Sequence, residues 1–354
     1  VEAHLESQGV KMAGYDDVRK GIKEYAEYNI LLDPNETNYT LSRLVDVQEV
    51  IRHKSPIPAM KAIKNEAEIR GYRSAMLKDG IALVKFLRWL KPAVEAGGQT
   101  EISIDKKLTS LRAEQPLFRD ISFDTIAGYG AHGAIVHYEA TPETDIPLEP
   151  HGLLLLDSGA QYQDGTTDIT RTIALGPVSD YEKHIYTLVL KGHIQLEICK
   201  FPSGASGTQM DILAREAMWR EGLNYLHGTG HGVGSYLSVH EGPHQFRLEW
   251  MPAPFLENMT VTDEPGIYLA GQFGVRIENT LLISHYKDTE FGKFLQFESL
   301  TLCPIDTTPV VKEELLPEEV AWLNEYHQHV YDMLAPHLDD EGDKEWLRKA
   351  TMPI

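Results

Sequence analysis

GLLLLDSGAQYQDGTTDITRTIAL, residues 152–175, places two apolar runs on either side of a turn signal. GLLLLDSGAQY (152–162) and TTDITRTIAL (166–175) read as strands, and Asp164-Gly165 between them is a hairpin dipeptide. Each run carries an acid at its inner end, Asp157 on the first and Asp168 on the second. A carboxylate beside a buried strand is costly unless it is paired or holds a cation. If Asp164-Gly165 is a tight two-residue turn, Gln161 faces Asp168 and Thr172 faces Asp157. The two acids then share a face, because side chains alternate along a strand. They also lie four residues apart, about 13 Å. Paired metal ions sit only about 3.5–4 Å apart. A shared site therefore predicts a bulge or wider loop that brings Asp157 nearly opposite Asp168.

Upstream of the hairpin the pattern is helical. Asn65 with Glu68 is a helix-start signal, and Ile69, Tyr72, Met76, Gly80, Leu83, Leu87 and Leu90 recur at spacings of three and four. That is one face of a long helix, expected to stop at Pro92. Ile104, Leu108 and Leu111 mark a second helix over Thr100 to Arg112. Downstream, Ser179 with Glu182 opens a helix to about Lys200, and Thr208 with Asp211 opens another to about Gly222. A Gly/His-rich stretch follows (227–244), then strands near 259–262 and 274–284, then an acidic helical tail. The mixture reads as α+β, helices packed on a largely antiparallel sheet. Residues 1–54 read as a small α/β piece, with helices at Val18 to Tyr28 and Leu41 to Ile51 and a strand at 28–33. They are taken as the C-terminal part of a truncated domain. Residues 55–354 are taken as one catalytic domain ending in the helical tail.

The formal net charge is −20 over 354 residues. Such a surface repels phosphates, which excludes a nucleic-acid partner. No apolar run approaches the ~20 residues that cross a bilayer. The two cysteines, Cys199 and Cys303, stand outside any metal-binding or disulfide spacing, which favours a reducing, cytoplasmic setting. Sequons at Asn35, Asn38 and Asn258 point the other way, but such triplets arise often by chance.

Five side chains are candidate metal ligands: Asp157, Asp168, His231 in HGTGHGVG, Glu264 in TDEPGIY and Glu278 in FGVRIENTLLI. Taken singly, each has a plain structural reading. Asp168 could pair with Arg171, Glu278 with Arg276, and His231 could be an ordinary core histidine. Together they are four carboxylates and one imidazole, an oxygen-rich set suited to Mn²⁺, with Co²⁺ or Zn²⁺ as alternatives. One cation cannot neutralise four carboxylates; two divalent cations can.

With GAIVHYEATPE, YLSVHEGP and the tail WLNEYHQHVYDMLAPHL, these segments resemble the metallopeptidases of the pita-bread fold. That family includes aminopeptidase P, prolidase and methionine aminopeptidase. The likeness is greatest to Xaa-Pro aminopeptidases of the cytosolic type. It implies a curved, largely antiparallel sheet. It also implies a dinuclear site in which Asp157 holds one metal, Asp168 and Glu278 bridge both, and His231 and Glu264 complete the other. A hydroxide shared by the metals would attack the scissile carbonyl, with Glu264 as proton acceptor. By the same likeness His137, His227 and His240 orient the substrate and stabilise the intermediate. Phe123 and Arg276 lie near a proline pocket, the substrates are peptides with proline in second place, and the protein is a homodimer. Prolidase activity on dipeptides is the nearest alternative. A metal-free peptide-binding relative, of the kind that has lost its ligands in chromatin-associated proteins, is a more distant one.

Overall fold

The computed structural model describes residues 1–25, 27–45 and 50–354. The chain divides into two compact units, Val1–Met60 and Lys61–Ile354. In the first, short helices at Glu2–Ser7, Val18–Glu24 and Tyr39–Ser42 accompany a parallel pair of strands, Ile30–Leu32 and Val50–Arg52. The helix expected over Leu41 to Ile51 is therefore a single turn capped by Asn38. Val50 and Ile51, both β-branched, lie in a strand instead; residues 46–49 lie outside the described residues. The helix expected to reach Tyr28 ends at Glu24, and residue 26 is likewise outside the described set.

The second unit contains the long helix Glu66–Ala96, opened by the reciprocal Asn65/Glu68 cap that the sequence signals. Pro92 does not stop it. The ring sits on the exposed side of the helix, where the carbonyl it leaves unpaired can be hydrated. Helix Glu101–Ala113 packs beside it. Phe86, Leu90, Ile104 and Leu108 from this pair cover Leu154, Leu156 and Ile173. Leu155, on the opposite face of the same strand, packs with Ile126 and Tyr138. Burial on both faces is why LLLL does not alternate with polar residues.

Strand Leu153–Ser158 is the centre of an antiparallel sheet, with Ile126–Tyr129 on one side and Ile169–Ala174 on the other. A second antiparallel sheet runs in the order Thr260–Asp263, Asn279–Thr289, Gly292–Ser299, Lys200–Pro202. Helices Asp180–Glu197 and Gly207–Trp219 pack on each other, and Pro317–Leu334 joins the first of them. The second of these starts two residues earlier than expected, on the Ser206/Gln209 cap. Asp211 is not a cap residue: it is buried and accepts from Arg215 Nε within the helix.

The signature hairpin corrects one expectation. Pairing runs from Leu153↔Ala174 through Asp157↔Thr170 to Ser158↔Ile169, lapses over the next two positions, and resumes in the same register at Gln161↔Thr166 and Tyr162↔Gly165. The turn residues are Gln163 and Asp164, one step earlier than the Asp-Gly reading, and no bulge is present. Gly165 serves packing instead: a Cβ there would meet the Cβ of Ala75 on the long helix at 2.8 Å. Asp164 pairs with Lys78 of the same helix. The shift places Asp168 opposite Gly159, so the two acids are two residues apart along the ladder, about 7 Å, on one face.

Candidate metal centre

Each of the five candidate ligands is delivered by the end of a strand or the edge of a loop. Asp157 is the penultimate residue of Leu153–Ser158, and Asp168 immediately precedes Ile169–Ala174. Gly159 lets the hairpin cross tightly between them, since a Cβ there would lie 2.0 Å from the Thr167 carbonyl oxygen. His231 ends the two-residue strand Gly230–His231, and its N–H donates to Thr262 Oγ1 at 3.0 Å. Glu264 follows Thr260–Asp263 and donates its N–H to the Thr229 carbonyl at 2.7 Å. Glu278 sits in the gap between Phe273–Arg276 and Asn279–Thr289, with its N–H on the Thr170 carbonyl and its Oε2 accepting from Thr170 Oγ1 at 2.7 Å.

The geometry gathers them. His231 Nε2 lies 3.4 Å from Asp168 Oδ2 and 3.5 Å from Glu264 Oε1. Ligand atoms of Asp168, His231 and Glu278 fall within 4.8 Å of one another. His231 Nδ1 faces the Gly232 carbonyl at 2.9 Å, which keeps a proton on Nδ1 and makes Nε2, between Asp168 and Glu264, the nitrogen that a cation would bind in place of a proton. Asp157 Oδ2 accepts from Arg276 Nη2 at 2.7 Å, while its Oδ1 is buried with no partner.

The electrostatics describe a cation site. Burial raises the Glu278 carboxyl well above its usual range, with Asp168, Glu264 and Asp157 adding repulsion. Burial also raises Asp157, against the opposing pull of Arg276, and pushes Glu264 up to about 7. Burial works against a charged His231 ring, but Asp168 and Glu264 outweigh it and hold the imidazole at about 9. Mutually repelling buried carboxylates, an orphaned Asp157 oxygen and an imidazole nitrogen aimed among them fit a pair of divalent cations.

All five line one cavity of about 620 Å³, together with Phe123, His137, His227, His240 and Arg276. The His240 ring stands perpendicular to His231, with centroids 4.2 Å apart. His137 is exposed at the cavity wall. His227 Nε2 lies 2.9 Å from Tyr268 Oη, and burial lowers its pKa to about 4. Arg276 donates to Tyr268 Oη at 2.7 Å as well as to Asp157. The plain pairings considered from sequence are absent among these contacts. Arg171 is taken up by the carbonyls of Pro304, Cys303 and Glu278, and Arg276 pairs with Asp157 rather than Glu278.

Two residues at the site escape a reading of the sequence. Tyr268 links His227 to Arg276, and its only signal is its place four residues after Glu264 in EPGIY. Thr170 holds Glu278, and its signal is an inward-facing hydroxyl in a strand opposite Asp157.

The model of metallopeptidase family M24 matches residues 70–285. This chain belongs to that family. The model of the family's C-terminal region matches 293–354, and a creatinase/prolidase N-terminal domain model matches 1–68. Aminopeptidase P1 of Lotus japonicus is 43% identical over 358 residues, covering 94% of this chain and 54% of that protein. Aminopeptidase P1 of Arabidopsis thaliana is 43% identical over 91% of this chain and 54% of its own length. The chain thus spans about half the length of the curated relatives it matches. The crystal structure of X-prolyl aminopeptidase from Caenorhabditis elegans, described as a cytosolic enzyme with a di-nuclear active site, superimposes with a TM-score of 0.93 at 37% identity. It covers 100% of this chain and 60% of that one. Xaa-Pro dipeptidase from Bacillus anthracis superimposes with a TM-score of 0.67 at 28% identity, over 84% of this chain and 79% of its own. The pita-bread fold of the M24 family is therefore the fold of this chain.

Proposed function

We propose that this M24 chain is an Xaa-Pro aminopeptidase that uses two divalent cations, Mn²⁺ first among them, to release the N-terminal residue of peptides with proline in second place. The observation that carries this is the convergence of Asp157, Asp168, His231, Glu264 and Glu278 on one cavity. The likeness to proteins named aminopeptidase P and X-prolyl aminopeptidase supports the specificity.

An Xaa-Pro bond is a tertiary amide without an N–H. A site for it must grip the carbonyl and the free amine instead. Cations held by Asp157, Asp168, His231, Glu264 and Glu278 would supply an acidified water and polarise the scissile carbonyl. Glu264, at the cavity surface of the cluster, would accept a proton from the attacking nucleophile and hand it toward the proline nitrogen. His240 and His137 donate to the oxygen on which charge develops. Asp157 receives the substrate's α-amine, which restricts cleavage to one residue. Phe123 forms part of the wall for the proline ring. His227 and Arg276, joined through Tyr268, hold that side of the cavity in place. Homodimerisation and a cytoplasmic location belong to the same proposal; no described helix is long and apolar enough to cross a membrane.

The test is release of the first residue from X-Pro-Y tripeptides, with and without Mn²⁺. Metal-dependent cleavage of Arg-Pro-Pro with little action on Gly-Pro is expected. The reverse preference would make the protein a dipeptidase of the prolidase kind.

A further inference from the structure

Behind the metal centre lies a second group of ionisable side chains that the proposed reaction does not use. Asp263 and Asn279 are direct partners in the antiparallel ladder. Their sequence neighbours are Glu264 and Glu278. Successive side chains point to opposite faces, so the backbone pair that sends two carboxylates forward to the cavity sends Asp263 and Asn279 backward. There they meet helix Asp180–Glu197. His193 and Glu197, one turn apart on that helix, share the face that receives them. His193 Nδ1 lies 3.1 Å from Asp263 Oδ2, and His193 Nε2 lies 3.2 Å from Glu197 Oε1. Glu197 Oε1 accepts from Asn279 Nδ2 at 2.7 Å, and its other oxygen accepts from Ser299 Oγ. His193 and Asp263 are fully buried, and Glu197 is 4% exposed.

We infer that His193, wedged between Asp263 and Glu197, is a positioning residue: it fixes the ladder end that aims Glu264 and Glu278 at the two cations. The inference rests on the dinuclear reading above. The chain of contacts closes a loop from one ligand strand, through the helix, to the other. Partners standing one step behind metal ligands commonly set affinity by fixing ligand orientation. The geometry argues against a third cation here. One ring nitrogen and one oxygen from each carboxylate lie within 4.8 Å of one another, as in the front cluster, but the two carboxylates face different nitrogens of the ring, so the side chains would have to turn before one ion could take all three at the ~2.0–2.2 Å that coordination requires. Burial keeps the ring neutral, with a pKa lowered to about 4. A neutral imidazole offers one donor and one acceptor, a pairing that a glutamine amide can reproduce.

The experiment compares His193→Phe with His193→Gln in the full chain. It measures Mn²⁺ affinity by competition with a chelator, and separately the melting of the metal-free protein. Phe keeps a flat ring and removes both nitrogens; it is expected to weaken Mn²⁺ binding about 10–100-fold. Gln is expected to recover most of that loss. Should the Phe variant fail to fold, Glu197→Gln removes the charge at nearly constant shape and is expected to weaken Mn²⁺ in the same direction. Wild-type affinity in the Phe variant, or in Glu197→Gln where Phe does not fold, overturns the inference. So does a wild-type count of three Mn²⁺ that falls to two on substitution, because that would make the cluster a cation site. Failure of the wild-type chain to bind Mn²⁺ at all would instead count against the dinuclear reading.

Discussion

The molecule holds two acid–imidazole clusters on opposite sides of one ladder end, and they differ in what surrounds them. The forward cluster, Asp157, Asp168, His231, Glu264 and Glu278, lines a cavity of about 620 Å³. The rear cluster, His193, Glu197 and Asp263, is sealed. Both hold buried polar atoms without a hydrogen-bond partner, Asp157 Oδ1 in front and the His193 nitrogens and Asp263 oxygens behind; in the forward one His231 Nε2 stands 3.4 and 3.5 Å from two carboxylates at the cavity wall. In the rear one, each ring nitrogen already faces a carboxylate. On the proposed reading similar residue types do different work: open convergence binds and reacts, while closed contact sets position. Charge alone does not separate the two, since burial raises the acids of both, Glu278 in front and Asp263 behind.

The contrast breaks or sharpens at several points. The largest effect is expected at Glu264. Glu264→Gln should lower kcat by about 10²–10⁴, the usual range for a proton-transfer group, with KM for Arg-Pro-Pro little changed; a purely electrostatic role would shift KM equally. Next is His240→Ala, expected to lower kcat by roughly 10²–10³ as loss of a donor to developing charge. Steady-state kinetics on the same peptide reads both.

A third test uses pH on the chelated protein. Raised carboxyls favour the folded state only while protonated. The contribution of Glu264 is complete below its ordinary value of 4.5 and is lost as pH rises through about 7. Buried neutral histidines such as His193 and His227 act in the opposite sense over the same window, so the comparison is with Glu264→Gln: relative to that variant, metal-free wild-type protein should lose stability between about pH 4.5 and 7, by an amount on the order of a few kcal/mol. Mn²⁺ at 100 times its Kd should return about 2.7 kcal/mol per bound ion at neutral pH. Urea unfolding of both chelated proteins at pH 5 and pH 8 measures it, and a wild type that gains on the variant at pH 8 would contradict the repulsion described here. The smallest effect is expected for Tyr268→Phe. It removes the hydroxyl shared by His227 and Arg276, and kcat/KM should fall about tenfold, the scale of one hydrogen bond to a charged group.

Much of this is legible in the sequence for a physical reason. Charged residues at the ends of apolar runs are conspicuous, so Asp157, Asp168 and Glu278 stand out along the chain, and the fold sets all three around one cavity. The helix starts at Asn65 and Ser179 are local events, written in cap residues three positions apart. What is not legible depends on partners distant in the chain. Gly165 reads as a turn glycine because its contact with Ala75 comes from a helix ninety residues earlier. That one-residue shift misplaces the whole ladder and asks for a bulge the protein does not need. Pro92 reads as a stop because its exposure on the helix is not written in the sequence. His193 reads as one polar residue in an amphipathic helix; its meaning appears only once Asp263 and Asn279 are known to be ladder partners.

The central claim is that four carboxylates and His231 hold two cations. Metal counting on the purified chain after Mn²⁺ loading and buffer exchange tests it most directly. Two Mn²⁺ per wild-type chain are predicted, falling to one or none in Asp168→Ala, which removes a carboxylate that the proposal assigns to both ions. A wild-type chain that retains fewer than two, or a count unchanged by Asp168→Ala, would contradict the account.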